Sequence, residues 1–307
     1  MAKKYGSPKR QVKLVYEVSG IKRIGSSKHA AKEVARKDGA RTWRDLGKKL
    51  GIHSYSTADA YRECWRRCFI HARDKYGLRQ LTRIEARHVQ SYLEECIERG
   101  VARATYNQYA AALSKLEVAL NGFADKTGMK RRFELQSGIE ATREDAKELK
   151  RFESTRAYHQ PEALIQFVSN ADHQLAAQMQ YEAGSRVNEI SLIRKGQLRP
   201  GGQFEAKGKG GKVLRPQLSP ATFQKLKEHI QKYGKFKINK DHYRAGLKEA
   251  SALTSQKYNG SHGLRWNYAQ RRMKELRQGG VSYYESLGRV SKEMGHERPD
   301  ITEHYLK

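Results

Sequence analysis

Between Ser56 and Asp125, apolar side chains return at every third or fourth position, a period that leaves packed α-helices as the economical way to bury them. Thr57 is placed to cap a helix carrying Tyr61, Cys64, Trp65, Cys68 and Phe69. Thr82 and Glu85 fit a capping box ahead of a second stripe, Val89, Tyr92, Leu93, Cys96 and Ile97, which Gly100 stops. Thr105 opens a third helix, with Tyr109, Leu113, Leu116 and Leu120 on one side and an end near Asn121-Gly122.

At 307 residues the chain exceeds the usual size of one domain, so two cores are expected. Residues 1–55 read as a basic arm or accessory unit. Up to position 57 there are fifteen Lys or Arg against four Asp or Glu, with apolar residues too sparse for an independent core. Within this stretch, 11–18 alternates like a strand, and Ser26 or Ser27 predicts a helix over 28–36. The helical unit spans 56–127. A strongly charged stretch, 128–156, reads as the interdomain linker, and Pro161 opens a second domain over 157–307.

Charge narrows the partners. The 61 Lys and Arg exceed the 33 Asp and Glu by 28, a self-repulsion that a polyanion would relieve, so nucleic acid is the expected ligand. No stretch approaches the ~18 apolar residues of a membrane span, and the start, Met1-Ala2-Lys3-Lys4-Tyr5, lacks the apolar region of a signal peptide. A cytoplasmic, nucleoid-associated location without membrane contact is therefore expected. Cys64, Cys68 and Cys96 offer neither a disulfide framework nor a zinc spacing and read as reduced packing residues.

Chemistry concentrates in the second half. Arg186 follows a Gly184-Ser185 turn at a new helix start, where a guanidinium and free backbone amides can meet a phosphate, and Glu189 three positions on can orient it. Lys207-Gly208-Lys209-Gly210-Gly211-Lys212, flanked by 203–206 and 213–218, reads as a glycine-rich hairpin tip. It lacks the Gly-Lys-Ser/Thr ending of a nucleotide loop. Ser219-Pro220 starts a helix after it. His262 and Arg265, three apart, share one helical face. Gly295-His296 precedes Tyr305 by nine positions from the histidine, and the stretch 277–288 between Arg265 and His296 reads as a surface loop. Tyr283 and Tyr284 lie in it as rival tyrosines, without a Gly-His pair nine residues before them. Taken singly, an Arg-x-x-Glu or His-x-x-Arg pattern is most often structural.

In order and spacing, Arg186, the lysine hairpin, His262-x-x-Arg265, His296 and Tyr305 resemble the tyrosine recombinase (phage integrase) family. The resemblance implies a fold that is mainly α with a small antiparallel β-sheet, a helical core-binding domain followed by a catalytic domain. It implies that Tyr305 attacks a DNA phosphodiester, forming a 3′-phosphotyrosyl link and freeing a 5′ hydroxyl. Arg186 and Arg265 would bear the developing phosphorane charge, His262 would take the tyrosine proton, His296 would hydrogen-bond the phosphate, and a hairpin lysine would protonate the leaving oxygen. That lysine matches best at Lys209, with Lys207 and Lys212 as competitors. Neither cofactor nor metal is implied. The expected partner is double-stranded DNA, gripped as a homotetramer on paired sites through a Holliday junction, with room for an accessory DNA-bending protein, in the service of a phage or mobile element. Only Leu306 and Lys307 follow Tyr305, so protomer coupling is expected to use another surface or to be weak, with a monomer when free. Two other readings stand beside this one, a type IB topoisomerase-like relaxing enzyme and a DNA-binding protein without catalysis.

Overall fold

The computed structural model describes residues 6–152, 154–208, 211–296 and 298–307. They divide into two compact units, 1–152 and 153–307.

The regular elements described in the first unit are mainly helices, α1 (Pro8–Val18), α2 (Lys28–Lys37), α3 (Trp43–Lys49), α4 (Tyr55–Tyr76), α5 (Ala86–Glu98), α6 (Arg103–Thr127) and α7 (Gln136–Ala141), with a single β-bridge between Lys22 and Ile52 among the described residues. The strand expected at 11–18 is α1. Ser7 caps it by accepting from the Arg10 N–H at 3.3 Å, Pro8 sets its first turn, and Val12, Val15 and Tyr16 bury one helical face. Apolar Leu14, within the same stretch, stays 53% exposed. The expected accessory arm 1–55 is thus not separate, because α1 packs on α4 and α6 and its side chains join the main core.

Helix α4 runs 22 residues from a Ser54 cap, in place of the expected Thr57, to a left-handed Gly77. Its Trp65 donates from Nε1 to the Ala112 carbonyl of α6 at 2.6 Å. All three cysteines are free and buried in this core. The start of α5 also differs from expectation. Thr82 lies in a short 3-10 turn, and the cap is Glu85, whose N–H donates to His88 Nδ1 at 3.0 Å. Helix α6 continues past Asn121-Gly122 to Thr127; Gly122 serves close packing, since a Cβ there would lie 2.5 Å from the Ser19 carbonyl oxygen.

The linker expected at 128–156 is folded over most of its length. Phe133, Leu135, Ile139, Ala146 and Leu149 enter the first core, and Glu117 on α6 accepts from the Leu135 and Gln136 N–H groups at 2.5 and 2.9 Å. Its charges are the solvated face of a packed segment, and the unit boundary falls at 152/153.

The second unit contains α8 (Pro161–Gln166), α9 (Ala171–Ala183), α10 (Val187–Ile190), β1 (Leu192–Arg194), β2 (Leu198–Arg199), β3 (Gln203–Phe204), β4 (Ala206–Lys207), β5 (Val213–Leu214), α11 (Pro220–Tyr233), β6 (Lys235–Lys237), α12 (Lys240–Leu253), α13 (Ser261–Gln278), α14 (Tyr283–Glu293) and α15 (Pro299–Glu303). The strands pair antiparallel as β1–β6, β2–β3 and β4–β5. The hairpin is therefore β4–β5, while 203–204 pairs back onto 198–199. The stretch 277–288 is not a loop: α13 persists to Gln278, Gly279-Gly280 turns the chain, and Ser282 caps α14. Helix α13 lies against α9 and α14, and this packing gathers the residues described next.

Candidate active site

Helix α9 ends at Gly184, whose φ of +61° turns the chain so that Arg186 becomes the N-cap of α10. A side chain at Gly184 would collide with Tyr268, whose ring carbon lies 2.3 Å from the position of a Cβ. Glu189 is buried and holds Arg186 twice, accepting from its backbone N–H at 2.7 Å and from its guanidinium at 2.9 Å. That leaves Arg186 about a quarter exposed, anchored on one edge and open on the other.

Arg265 projects from α13 and is 1% exposed. It donates to the carbonyls of Gly184 and Met294, the latter at 2.6 Å, and to His296 Nε2 at 2.8 Å. None of these acceptors carries a charge. Burial works against its ionised form, and the Arg186 charge adds to the effect. Its Nε and the Ser185 hydroxyl are buried without a hydrogen-bond partner among the described residues. A buried donor left this way costs about 1–3 kcal/mol, so the pocket favours an anion with several acceptor oxygens.

The histidine tautomers follow from these contacts. Arginine can only donate, so His296 Nε2 accepts and its proton sits on Nδ1, which donates to Thr302 Oγ1 at 2.7 Å. Both ring nitrogens of His296 are therefore engaged within the protein. His262 Nε2 lies 2.8 Å from the Tyr305 hydroxyl. Burial, then Arg265, pull the pKa of His262 down to about 4 and that of His296 to about 3. A neutral His262 can accept the hydroxyl proton of Tyr305.

Tyr305 stands in a 3-10 turn after α15 and is buried among the rings of Trp266, His296 and His262, at centroid distances of 5.2, 5.3 and 5.4 Å. Gln270 ties the turn down by donating to the carbonyl oxygen of Tyr305 at 3.2 Å. The rival Tyr284 is 83% exposed, and Tyr283 reaches toward Glu303.

Five of the six residues picked from the sequence thus gather in one pocket. Lys209 lies outside the described residues. Among the described residues of the hairpin, Leu214 packs against Gly295, the Lys212 charge acts on His296, and Lys207 is exposed. Sequence reasoning missed Thr302, Trp266 and Gln270, as well as Arg156, whose charge also acts on His262. None stands at a spacing that marks it. His304, next to the tyrosine in the chain, meets the Trp266 ring at 5.1 Å.

Residues 49–121 match the family described as phage integrase, N-terminal SAM-like domain. The post-cleavage complex of the XerH site-specific recombinase with a palindromic difH substrate superposes with a TM-score of 0.61 at 14% identity, covering 99% of this chain and 94% of that one. The chain has the tyrosine-recombinase fold. The Tn1549 transposon integrase in complex with transposon right end DNA gives a TM-score of 0.54 at 12% identity over 92% of this chain and 95% of that one. The lambda integrase dimer bound to a COC′ core site gives 0.53 at 12% identity over 91% and 93%. No curated protein matches at the level of sequence. Within the tyrosine-recombinase fold, the described residues contain no helix long and apolar enough to cross a membrane and no group of three or more His, Cys, Asp or Glu placed to hold a metal ion.

Proposed function

We propose that this chain cleaves and rejoins duplex DNA through Tyr305, exchanging strands between two sites. The observation that carries the reading is the 2.8 Å contact between the Tyr305 hydroxyl and a neutral His262, beside Arg265 and an Arg186 that Glu189 holds in place. The tyrosine oxygen attacks a phosphodiester phosphorus as its proton passes to His262 Nε2. A bond from tyrosine oxygen to phosphorus forms, and the bond to the 5′ oxygen breaks. Lys209 is the hairpin lysine we assign to protonate that oxygen, with Lys212 as the competitor supported by its influence on His296.

Arg186 and Arg265 bear the charge that builds on the non-bridging oxygens. Donors of this kind are worth roughly 3–4 kcal/mol each in comparable oxyanion sites. His296, with both nitrogens taken, acts by holding Arg265 in place rather than by donating to the phosphate directly. A free 5′ hydroxyl from a second duplex attacking the same phosphorus reverses the step and transfers the strand. The reading extends to a Holliday junction worked by four protomers on paired sites, with 153–307 as the catalytic unit and the helical unit as a DNA-gripping one. The match over nearly the whole lengths of recombinase chains supports exchange over simple relaxation.

The test uses nicked duplexes that trap the covalent intermediate. The parent protein should accumulate a DNA adduct, and Tyr305→Phe should form none while its affinity for the same DNA changes by less than about twofold. An undiminished adduct in the variant removes Tyr305 from this role. On supercoiled plasmid, the reading expects site-dependent inversion or deletion; efficient relaxation without a site favours the topoisomerase alternative.

A further inference from the structure

We infer that residues 155–158 strap His262 and Tyr305 into register, and that Arg156 is a positioning residue for the proton transfer between them. The inference rests on the cleavage role proposed above and deepens it. The strap lies at the opening of the second unit and includes the last two residues expected to be linker, Thr155 and Arg156.

Its bonds run to α13 and to the turn that leads into it. Arg156 donates from its guanidinium to the Asn259 carbonyl at 3.0 Å, and Asn259 Nδ2 donates to the Ala157 carbonyl at 3.2 Å. The Tyr158 hydroxyl accepts from the Asn259 N–H at 3.2 Å and donates to the Gly260 carbonyl at 3.1 Å. The Tyr158 N–H donates to Asn267 Oδ1 at 2.9 Å, and Asn267 Nδ2 donates back to the Tyr158 carbonyl at 2.8 Å. His262 is thus bracketed. Two residues before it the chain turns through Gly260, and the next residue, Gly263, has no room for a Cβ, which would lie 2.6 Å from the Tyr158 ring and 2.8 Å from the Arg156 carbonyl oxygen.

The same segment reaches the nucleophile. Gln270, about two turns along α13 from His262, donates from Nε2 to Thr155 Oγ1 at 3.0 Å and to the Tyr305 carbonyl at 3.2 Å. Ala157 packs against the cluster that contains Trp266 and Tyr305. The supports of both partners in the 2.8 Å contact between His262 Nε2 and the Tyr305 hydroxyl therefore meet in four consecutive residues. Proton transfer needs that contact to stay within hydrogen-bond reach, so a small displacement of the start of α13 costs rate before it costs binding. Charge acts in the same direction as geometry. The charged and titratable groups that face His262 are Arg265, Arg156, Arg186, His304 and the Tyr305 hydroxyl. Burial and then Arg265 do most to keep the ring neutral, and Arg156 comes next, ahead of Arg186. The Asn259 carbonyl that holds Arg156 bears no charge, so this bond leaves the positive charge in place.

The test compares full-length Arg156→Gln and Arg156→Lys with the parent by single-turnover trapping on nicked duplex at saturating DNA, from about pH 4 to about pH 8, alongside NMR titration of His262. Arg156→Gln should raise the His262 pKa at least as far as Arg186→Gln does and move the acid limb of the adduct rate upward with it. At the alkaline end it should slow the adduct about tenfold through loss of alignment. Arg156→Lys keeps the charge and should leave the limb and the titration near those of the parent. Thr155→Val reads the other end of the strap and should slow the saturated rate about threefold at unchanged DNA affinity. A titration and acid limb unmoved in Arg156→Gln overturn the inference, as does a parental rate in Thr155→Val. So does an Arg156→Gln protein that loses DNA affinity but keeps the parental rate at saturation, the mark of a plain DNA contact. Each of these leaves the cleavage reading intact; a parent that forms no adduct would overturn the proposed function as well.

Discussion

Thr302 does for His296 what Glu189 does for Arg186, taking up one side of a functional group so that the other side has a single orientation. If the chain from Thr302 through His296 to Arg265 sets the guanidinium, Thr302→Val frees His296 to turn and should slow adduct formation about tenfold, roughly the worth of one hydrogen bond of 1–1.5 kcal/mol. Single-turnover trapping at saturating DNA checks this. Thr302→Ser should restore the rate, and DNA affinity should be the same in all three proteins.

Protonation of His262 belongs to the same scale. Its folded pKa, near 4, lies below the ordinary 6.5, so the neutral, proton-accepting form persists until pH falls toward 4. An unfolded chain binds that proton earlier, so the stability contributed by the neutral ring is present above about pH 6.5 and is lost as pH falls through 4. An NMR titration of His262 in the free protein should show the low value, and Arg186→Gln, by removing one repelling charge, should raise it. A pKa near 6.5 in the parent contradicts the account. The sequence pointed to His262 and Arg265 through their order after the lysine hairpin, as the resemblance to the tyrosine recombinase family implies, and not through their spacing alone. It concealed Thr302 and Trp266, whose roles exist only after α13 and α15 pack together.

Elements were legible where a cap residue was unambiguous or the apolar period was strong, even where the expected cap lay a few residues off, as in α4, α5 and α6. Ser27, Ser219 and Pro161 start helices as their residue types dictate, and the stripes of α4, α5 and α6 are the buried faces that their spacing implied. Misreadings came where local pattern met tertiary contact. In α1, two apolar periods overlap within eight residues, and the surface of α4 and α6 selects the helical one. Gly122 looked like a stop but is a notch for the Ser19 carbonyl, and a run of charge at 143–148 hid the core residue Ala146. Gly184 is the element boundary on which the pocket most depends, since it turns the chain toward Arg186 and lends its carbonyl to Arg265. Gly184→Ala imposes a Cβ at φ +61° against Tyr268 and should destabilise the catalytic unit by about 2–4 kcal/mol, measurable by denaturant unfolding. A loss below about 0.5 kcal/mol would show that the turn relaxes freely.

Across the whole molecule, a formal charge of +28 includes two arginines, Arg186 and Arg265, close enough for the charge of one to act on the other. Basicity by itself points to nucleic acid, but it does not say which cations are buried together. Arg265 shows the distinction, being a buried guanidinium among neutral acceptors, next to an arginine already tethered by the pocket's carboxylate. The central claim is that this pocket delivers its occupant to Tyr305. Trypsin separates the candidates, placing Tyr305 in the peptide that ends at Lys307 and Tyr283 and Tyr284 in the one that ends at Arg289. Mass spectrometry of peptides still joined to DNA, after trapping on a library of nicked duplexes, reads the attachment directly. The account predicts a 3′-phosphonucleotide on Tyr305 alone; attachment to Tyr283 or Tyr284, or no adduct from any duplex in the library, contradicts it.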